Sequence, residues 1–222
     1  MLILPRKKQL KLNSGDLVLN TLTVRTRLFL LIGLMSVVAI SLSLLGLYGM
    51  KKANDGLQTV YSDRVVPLKD LKVIADMYAV NIVDTTHKVR NGNITWEEAI
   101  KNVEDAERII HEKWSGYLST ILVEEEEKLI LQIKPLFNTT QQTLNKLQEI
   151  LKDHNQEAIT NFTVNELYPV IDPISGKIAE LIDVQIFVAK REYDLAQDRF
   201  QVILIGSIVA LVFGVILSVS VG

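Results

Sequence analysis

The chain has 222 residues, a formal net charge of −2, 48% hydrophobic residues and no cysteine. That length admits one domain or two, and the missing thiols exclude disulfide and thiol chemistry. The charge is uneven: residues 1–27 hold six Lys/Arg against Asp16 alone, while residues 51–200 hold 18 Lys/Arg against 25 Asp/Glu, a net of −7.

Residues 1–20 mix Pro5 with a basic cluster (Arg6, Lys7, Lys8, Lys11) and a turn signal, Asn13-Ser14-Gly15-Asp16. Residues 1–27 are expected to form a cytoplasmic tail whose charge fixes topology; its cations also suit anionic lipid headgroups. Leu28–Met50 then runs 23 residues without a charge, between Arg25/Arg27 and Lys51/Lys52. About 20 apolar residues cross a bilayer core as a helix. A cleaved signal peptide is the rival reading, but its apolar region is about 7–15 residues with a small-residue exit. This run is longer and lacks such an exit. The positive-inside rule puts the N-terminus in the cytoplasm. Residues 51–200 then lie outside, and a second uncharged span, 201–222, returns the chain.

Between the spans the pattern is helical throughout. Leu57, Tyr61, Arg64, Leu68, Leu71, Ala75, Tyr78, Ile82, Thr85 and Val89 follow a 4-3 alternation, the seam of a long bundled helix. Pro67 should bend it or loosen one turn. Asn91-Gly92-Asn93 should end it, with Gly92 in the left-handed region. Thr95-Trp96-Glu97-Glu98 reads as a capping box for a second helix ending near Gly116–Thr120. A third, from about Leu122, carries Leu129, Ile133, Leu136, Leu144, Leu147 and Leu151, with a kink expected at Pro135. Asp153-His154-Asn155 is the next turn. The fourth helix starts near Gln156 and should bend or break at Pro169, Pro173 and Gly176. It continues through Ile174, Ile178, Leu181, Gln185, Val188, Glu192, Leu195 and Arg199 into the second span.

The lead Leu22-Thr23-Val24-Arg25-Thr26-Arg27-Leu28, running straight into a span, resembles the N-terminus of bacterial methyl-accepting chemotaxis receptors. Four antiparallel helices, the first and last continuous with membrane spans, extend that resemblance over residues 22–222. It implies an all-α, antiparallel four-helix-bundle sensor domain and a homodimer in the inner membrane. It also implies cytoplasmic signalling proteins engaged through a part beyond Gly222. Most such receptors begin a few residues before the lead, whereas about twenty precede it here.

Chemistry-bearing motifs are sparse. His87, His111 and His154 fall on three different predicted elements, and neither a phosphate loop nor a nucleophile motif occurs. An enzyme, a cofactor, a metal and a nucleic-acid partner are not expected. Glu124-Glu125-Glu126-Glu127 reads as a solvated first turn matched to the helix dipole; a cation or basic partner is its alternative. Polar interruptions of the seams are more informative. Arg64 and Gln185 fall at equal heights on antiparallel helices, roughly 24 Å above the membrane at 1.5 Å per residue. A buried guanidinium needs an acceptor: a carboxylate ligand bound bidentately, or an internal acid such as Asp63 or Glu180; the alternative is that Arg64 snorkels to water. Val66, Val73 and Val80, flanked by Lys69, Lys72, Asp63, Asp70 and Asp84, form a second stripe. It suits a two-fold contact or a partly exposed face. The resemblance implies small-molecule binding near this helix, so the candidate ligand residues are Arg64, Lys69, Lys72, Tyr78, Thr85 and Gln185, with an organic anion as the expected class.

Three functions follow. The first is a chemoreceptor sensor that binds a small solute outside the cytoplasm and passes a helix displacement inward. The second places the same sensor on a histidine kinase or cyclic-dinucleotide cyclase. The third is a structural two-span dimerisation module.

Overall fold

The structure, a computed structural model, describes residues 23–221, and every regular element among them is helical. The basic cluster and turn expected within residues 1–20 lie outside the described residues. Helix α1 (Val24–Val60), a π-helical segment (Tyr61–Val65), α2 (Val66–Asp76), a second π-helical segment (Met77–Asp84) and α3 (Thr85–Arg90) follow without interruption. Together they make one helix of 67 residues. Next come α4 (Trp96–Leu118), α5 (Glu124–Lys152), α6 (Gln156–Asn165) and α7 (Leu167–Val221). These fall into two compact units, one of them Ala53–Gln197, the other taking the remaining parts of α1 and α7.

The apolar unit consists of two helices long and apolar enough to cross a membrane, with 0% and 6% of their most apolar windows buried. Phe29, Ile40 and Phe213 all face outward, which separates these helices from the core helices of a soluble fold. They meet where one side chain is absent. A Cβ placed on Gly214 would stand 3.1 Å from Val38 Cγ1, the close approach small residues permit between membrane helices.

The other unit is a bundle of four helices. Its first is the α1–α3 helix from Ala53 onward, its second α4, its third α5, and its fourth α6 with α7. Leu71, Ile74, Val103, Ile110, Ile133, Leu147, Phe162, Ile174 and Ile178 join in one core. Helix ends follow the local chemistry. Gly92 takes φ +72°; its N–H bonds Val89 O, and Asn93 N–H bonds Lys88 O, the paired closure of a Schellman motif. Thr95 Oγ1 accepts from Glu98 N–H at 3.1 Å. The turn expected at Asp153-His154-Asn155 repeats the Schellman bonding, with His154 itself at φ +50° and its ring stacked on Trp96.

The prolines act as their missing N–H groups dictate. Tyr61–Val65 widens into a π-turn just before Pro67, with Val66 N–H bonded to Tyr61 O, the loosened turn expected there. On the fourth helix the break falls at Glu166 (φ −120°), earlier than the expected Pro169–Gly176 stretch. In an unbroken helix Pro169 could not bond the Asn165 carbonyl, and its ring would crowd it. Restarting at Leu167 puts Pro169 in a first turn, where no N–H partner is needed. Helix α5 runs through Pro135 without interruption.

The second π-helical segment contains no proline. It answers a four-residue spacing: Ile74, Tyr78, Ile82 and Thr86 are all buried. Steps of four overshoot an α-helical turn by about 40° each, and a wider turn takes up the excess. The seam also ends sooner than its apolar pattern suggests. Leu57 and Tyr61 are 71% and 64% exposed, and Leu195 is exposed as well. Helices α4 and α5 turn round at Ser119–Val123, so the first and fourth helices lack two bundle partners beyond that point.

Candidate functional site

Each bundle helix contributes one polar side chain to a single buried cluster. Glu126, on α5, is fully buried, as is Gln185 on α7; Arg64, in the first π-helical segment, is 5% exposed. Glu126 Oε2 accepts from Arg64 Nη1 at 3.1 Å and from the Val123 backbone N–H at 2.8 Å. Its Oε1 accepts from the Tyr117 hydroxyl of α4 at 2.5 Å and from Gln185 Nε2. Four donors therefore compensate the desolvation of one carboxylate, and a guanidinium balances its charge. Removing one partner of a buried pair leaves the other's charge without its counter-ion.

Local sequence explains why Glu126 turns inward. Val123 stands at the N-cap of α5 and has no side-chain acceptor, so Glu126, three residues on, reaches back to its N–H. This is the carboxylate half of a capping box. Burial, then the hydrogen bond to Glu126, push the Tyr117 phenol well above its ordinary pKa, so it stays a donor. Two polar atoms of the cluster remain without partners: Arg64 Nε and Gln185 Oε1.

The expectation that Glu124–Glu127 form a solvated turn is therefore corrected at Glu126. The other three glutamates are exposed, and Glu124 pairs with Lys128 across one helical turn. The internal acid that meets Arg64 is Glu126, not Asp63 or Glu180; Glu180 bonds Lys177. The signal was present in spacing. Glu126, Ile130, Ile133, Phe137, Thr140, Leu144, Leu147 and Leu151 form an unbroken 4-3 series, so the α5 seam extended one step backward lands on Glu126.

Of the six sequence candidates, the cluster unites Arg64 and Gln185, at the common level their positions implied. Tyr78 and Thr85 are buried further along the first helix. Tyr78 lies beside Phe137, and burial, with the nearby Glu107 charge, raises its phenol pKa. Lys69 and Lys72 are exposed, and Lys72 pairs with Asp76 on its own helix. Val66 and Val80 are exposed and Val73 half-buried. A second polar cluster links α4 and α5, where half-buried Glu107 accepts from Gln141 at 3.0 Å and from Gln148. Burial raises its pKa. The three histidines remain apart: His87 bonds Tyr168, His111 bonds Gln141, and His154 stacks on Trp96. Among the described residues no group of three or more His, Cys, Asp or Glu could hold a metal ion.

With this geometry in place, similarity to known proteins can be stated. A family model described as a four helix bundle sensory module for signal transduction matches residues 21–200. The methyl-accepting chemotaxis protein NahY of Pseudomonas putida is 41% identical over 174 residues, 78% of this chain and 32% of that protein. The chain thus spans about a third of that curated relative's length. No solved structure matches the chain.

Proposed function

The chain belongs to the family of four-helix-bundle sensory modules of chemotaxis receptors, a non-enzymatic signalling module, and from that premise we propose that it is the sensing region of a two-pass inner-membrane chemoreceptor. In this reading the N-terminus is cytoplasmic, residues 51–200 face outward, and the second span leads to a cytoplasmic signalling part. The bundle binds a small solute of anionic chemistry and favours one of two positions of the fourth helix. The observation that supports this most directly is the continuity of α7. One helix carries Ile174, Ile178, Leu181 and Gln185 into the bundle core and ends in the apolar stretch to Val221. A ligand shifts such a helix only through its different affinities for the two positions.

Two copies are expected to pair through the Val66/Val73/Val80 stripe of the first helix. We place the solute beside it, at Lys69 and Lys72, the two candidate cations that face solvent. Arg64 is engaged by Glu126, and its loss should register first in stability. The test begins with a thermal-shift screen of small anions on the full chain in detergent. At a hundred times its dissociation constant a ligand adds about 2.7 kcal/mol of stability. Lys69→Ala with Lys72→Ala should then weaken a confirmed hit at least tenfold without altering the unliganded melting temperature. An output response to that solute surviving deletion of residues 57–195 would remove the proposal.

A further inference from the structure

The cluster around Glu126 leaves one donor and one acceptor unused, and the two are complementary. Arg64 Nε carries an N–H, Gln185 Oε1 is a carbonyl oxygen, and both are buried without a partner. Their side chains also converge on the two oxygens of the same carboxylate, Arg64 on Oε2 and Gln185 on Oε1. Native interiors leave few polar atoms unpaired. Two that could satisfy each other, on different helices, mark an alternative pairing close at hand.

We propose that Gln185 is a two-position latch for the fourth helix. In the position observed, its amide nitrogen donates to Glu126. In the other, α7 shifts until its amide oxygen accepts from Arg64 Nε–H. Glu126 is the fixed part, because the Val123 N–H and the Tyr117 hydroxyl tie it to the ends of α5 and α4. Gln185 is the movable part: its helix meets the cluster through this side chain alone among the hydrogen bonds described. The observed position leaves Arg64 Nε and Gln185 Oε1 unpaired; the other pairs these two and frees the Gln185 amide nitrogen, while Glu126 Oε1 keeps the Tyr117 hydroxyl. A charge-assisted bond to the carboxylate is thus exchanged for one from the guanidinium, so each position has a strong bond of its own. Helix shifts of about 1–2 Å are typical of switching proteins. The latch's part in signalling rests on the sensor reading above, but its existence does not.

The chain's lack of cysteine allows spin labels to be placed without background. Labels at Lys134→Cys on α5 and Lys190→Cys on α7, both exposed in the native chain, report α7 travel in the full chain in lipid nanodiscs by pulsed electron resonance. Gln185→Glu puts a carboxylate beside Glu126, which repels it, and beside Arg64, which attracts it. It should move the mean label distance by about 1–2 Å. Gln185→Met has similar length, adds no charge and can make neither bond; its distribution should broaden to span both means. Distributions for both variants that coincide with the parent in mean and width would overturn the latch. No solute and no output enter this measurement, so that result would leave the sensor reading standing.

Discussion

Removing Glu126 should damage the bundle more than removing Arg64, although the two form one ion pair. Glu126→Leu leaves a guanidinium in the core that no accessible pH can neutralise. It also strands the Tyr117 hydroxyl, the Gln185 amide and the Val123 N–H, all of which donate to Glu126 in the parent. Breaking a buried pair in this way costs about 3–5 kcal/mol. A folded domain has roughly 5–15 kcal/mol in total, so a melting temperature lower by roughly 10–15 °C is expected for a bundle of this size. Arg64→Met leaves three of the four donors to the carboxylate in place. Its cost should be about 1–3 kcal/mol, that of a polar group losing one bond. The double variant removes both charges and should recover the part of the Glu126→Leu loss that comes from the unpaired guanidinium, while the three other stranded donors keep it below the parent. Thermal unfolding of all four proteins in the same detergent, followed by circular dichroism, measures the order. An Arg64→Met loss equal to or above that of Glu126→Leu, or a double variant no better than Glu126→Leu, would refute the reasoning.

Alkaline stability follows from the two buried phenols. Tyr117 and Tyr78 have folded pKa values raised chiefly by burial, while an unfolded tyrosine titrates near about 10. Above that value the unfolded chain releases protons that the folded one keeps. The contribution is therefore whole below pH about 10 and lost as pH rises beyond it. Tyr117→Phe should flatten the alkaline limb of the melting-temperature profile; an unchanged limb would exclude Tyr117 as its source. In the apolar unit, Gly214→Leu should drive the paired helices apart, because even a Cβ meets Val38 Cγ1 at 3.1 Å. Val38→Ala on that background should restore part of any loss in melting temperature, and a failure to do so would place the contact elsewhere.

The parts of the fold that were legible in the sequence are those where packing follows period. Leu71, Tyr78, Ile82, Thr85 and Val89 on the first helix, and Ile174 to Val188 on the fourth, are buried where the 4-3 alternation puts them. Gly92 and Thr95 mark helix ends through chemistry local to a few residues. The level shared by Arg64 and Gln185 was also readable, being a matter of rise per residue. Their partner was not read, because Glu126 is one of four consecutive glutamates. Composition assigns such a run to solvent, while the phase of the α5 seam assigns one member to the core. The π-helical segment at Met77–Asp84 escaped for a related reason. A 4-3 template absorbs Tyr78, Ile82 and Thr85 without complaint, and only the buried Thr86 exposes the run of fours. The Lys69/Lys72 face could not be weighed by pattern, since exposed charge looks alike whether or not a ligand meets it.

The asymmetry between Arg64 and Glu126 also bears on how such a cluster is acquired. A bundle that already holds the carboxylate, capped by the Val123 N–H and met by Tyr117 and Gln185, can tolerate an apolar residue at position 64 and gain the arginine afterwards. The reverse order requires passing through a chain with a buried guanidinium and no acid to meet it, which is the least stable of the four combinations. Selection for a stable fold thus gives this history a direction: the arginine is the last of the pair to arrive and, if the cluster decays, the first to leave. Sequences that diverge from this one should then more often carry the acid without the arginine than the arginine without the acid.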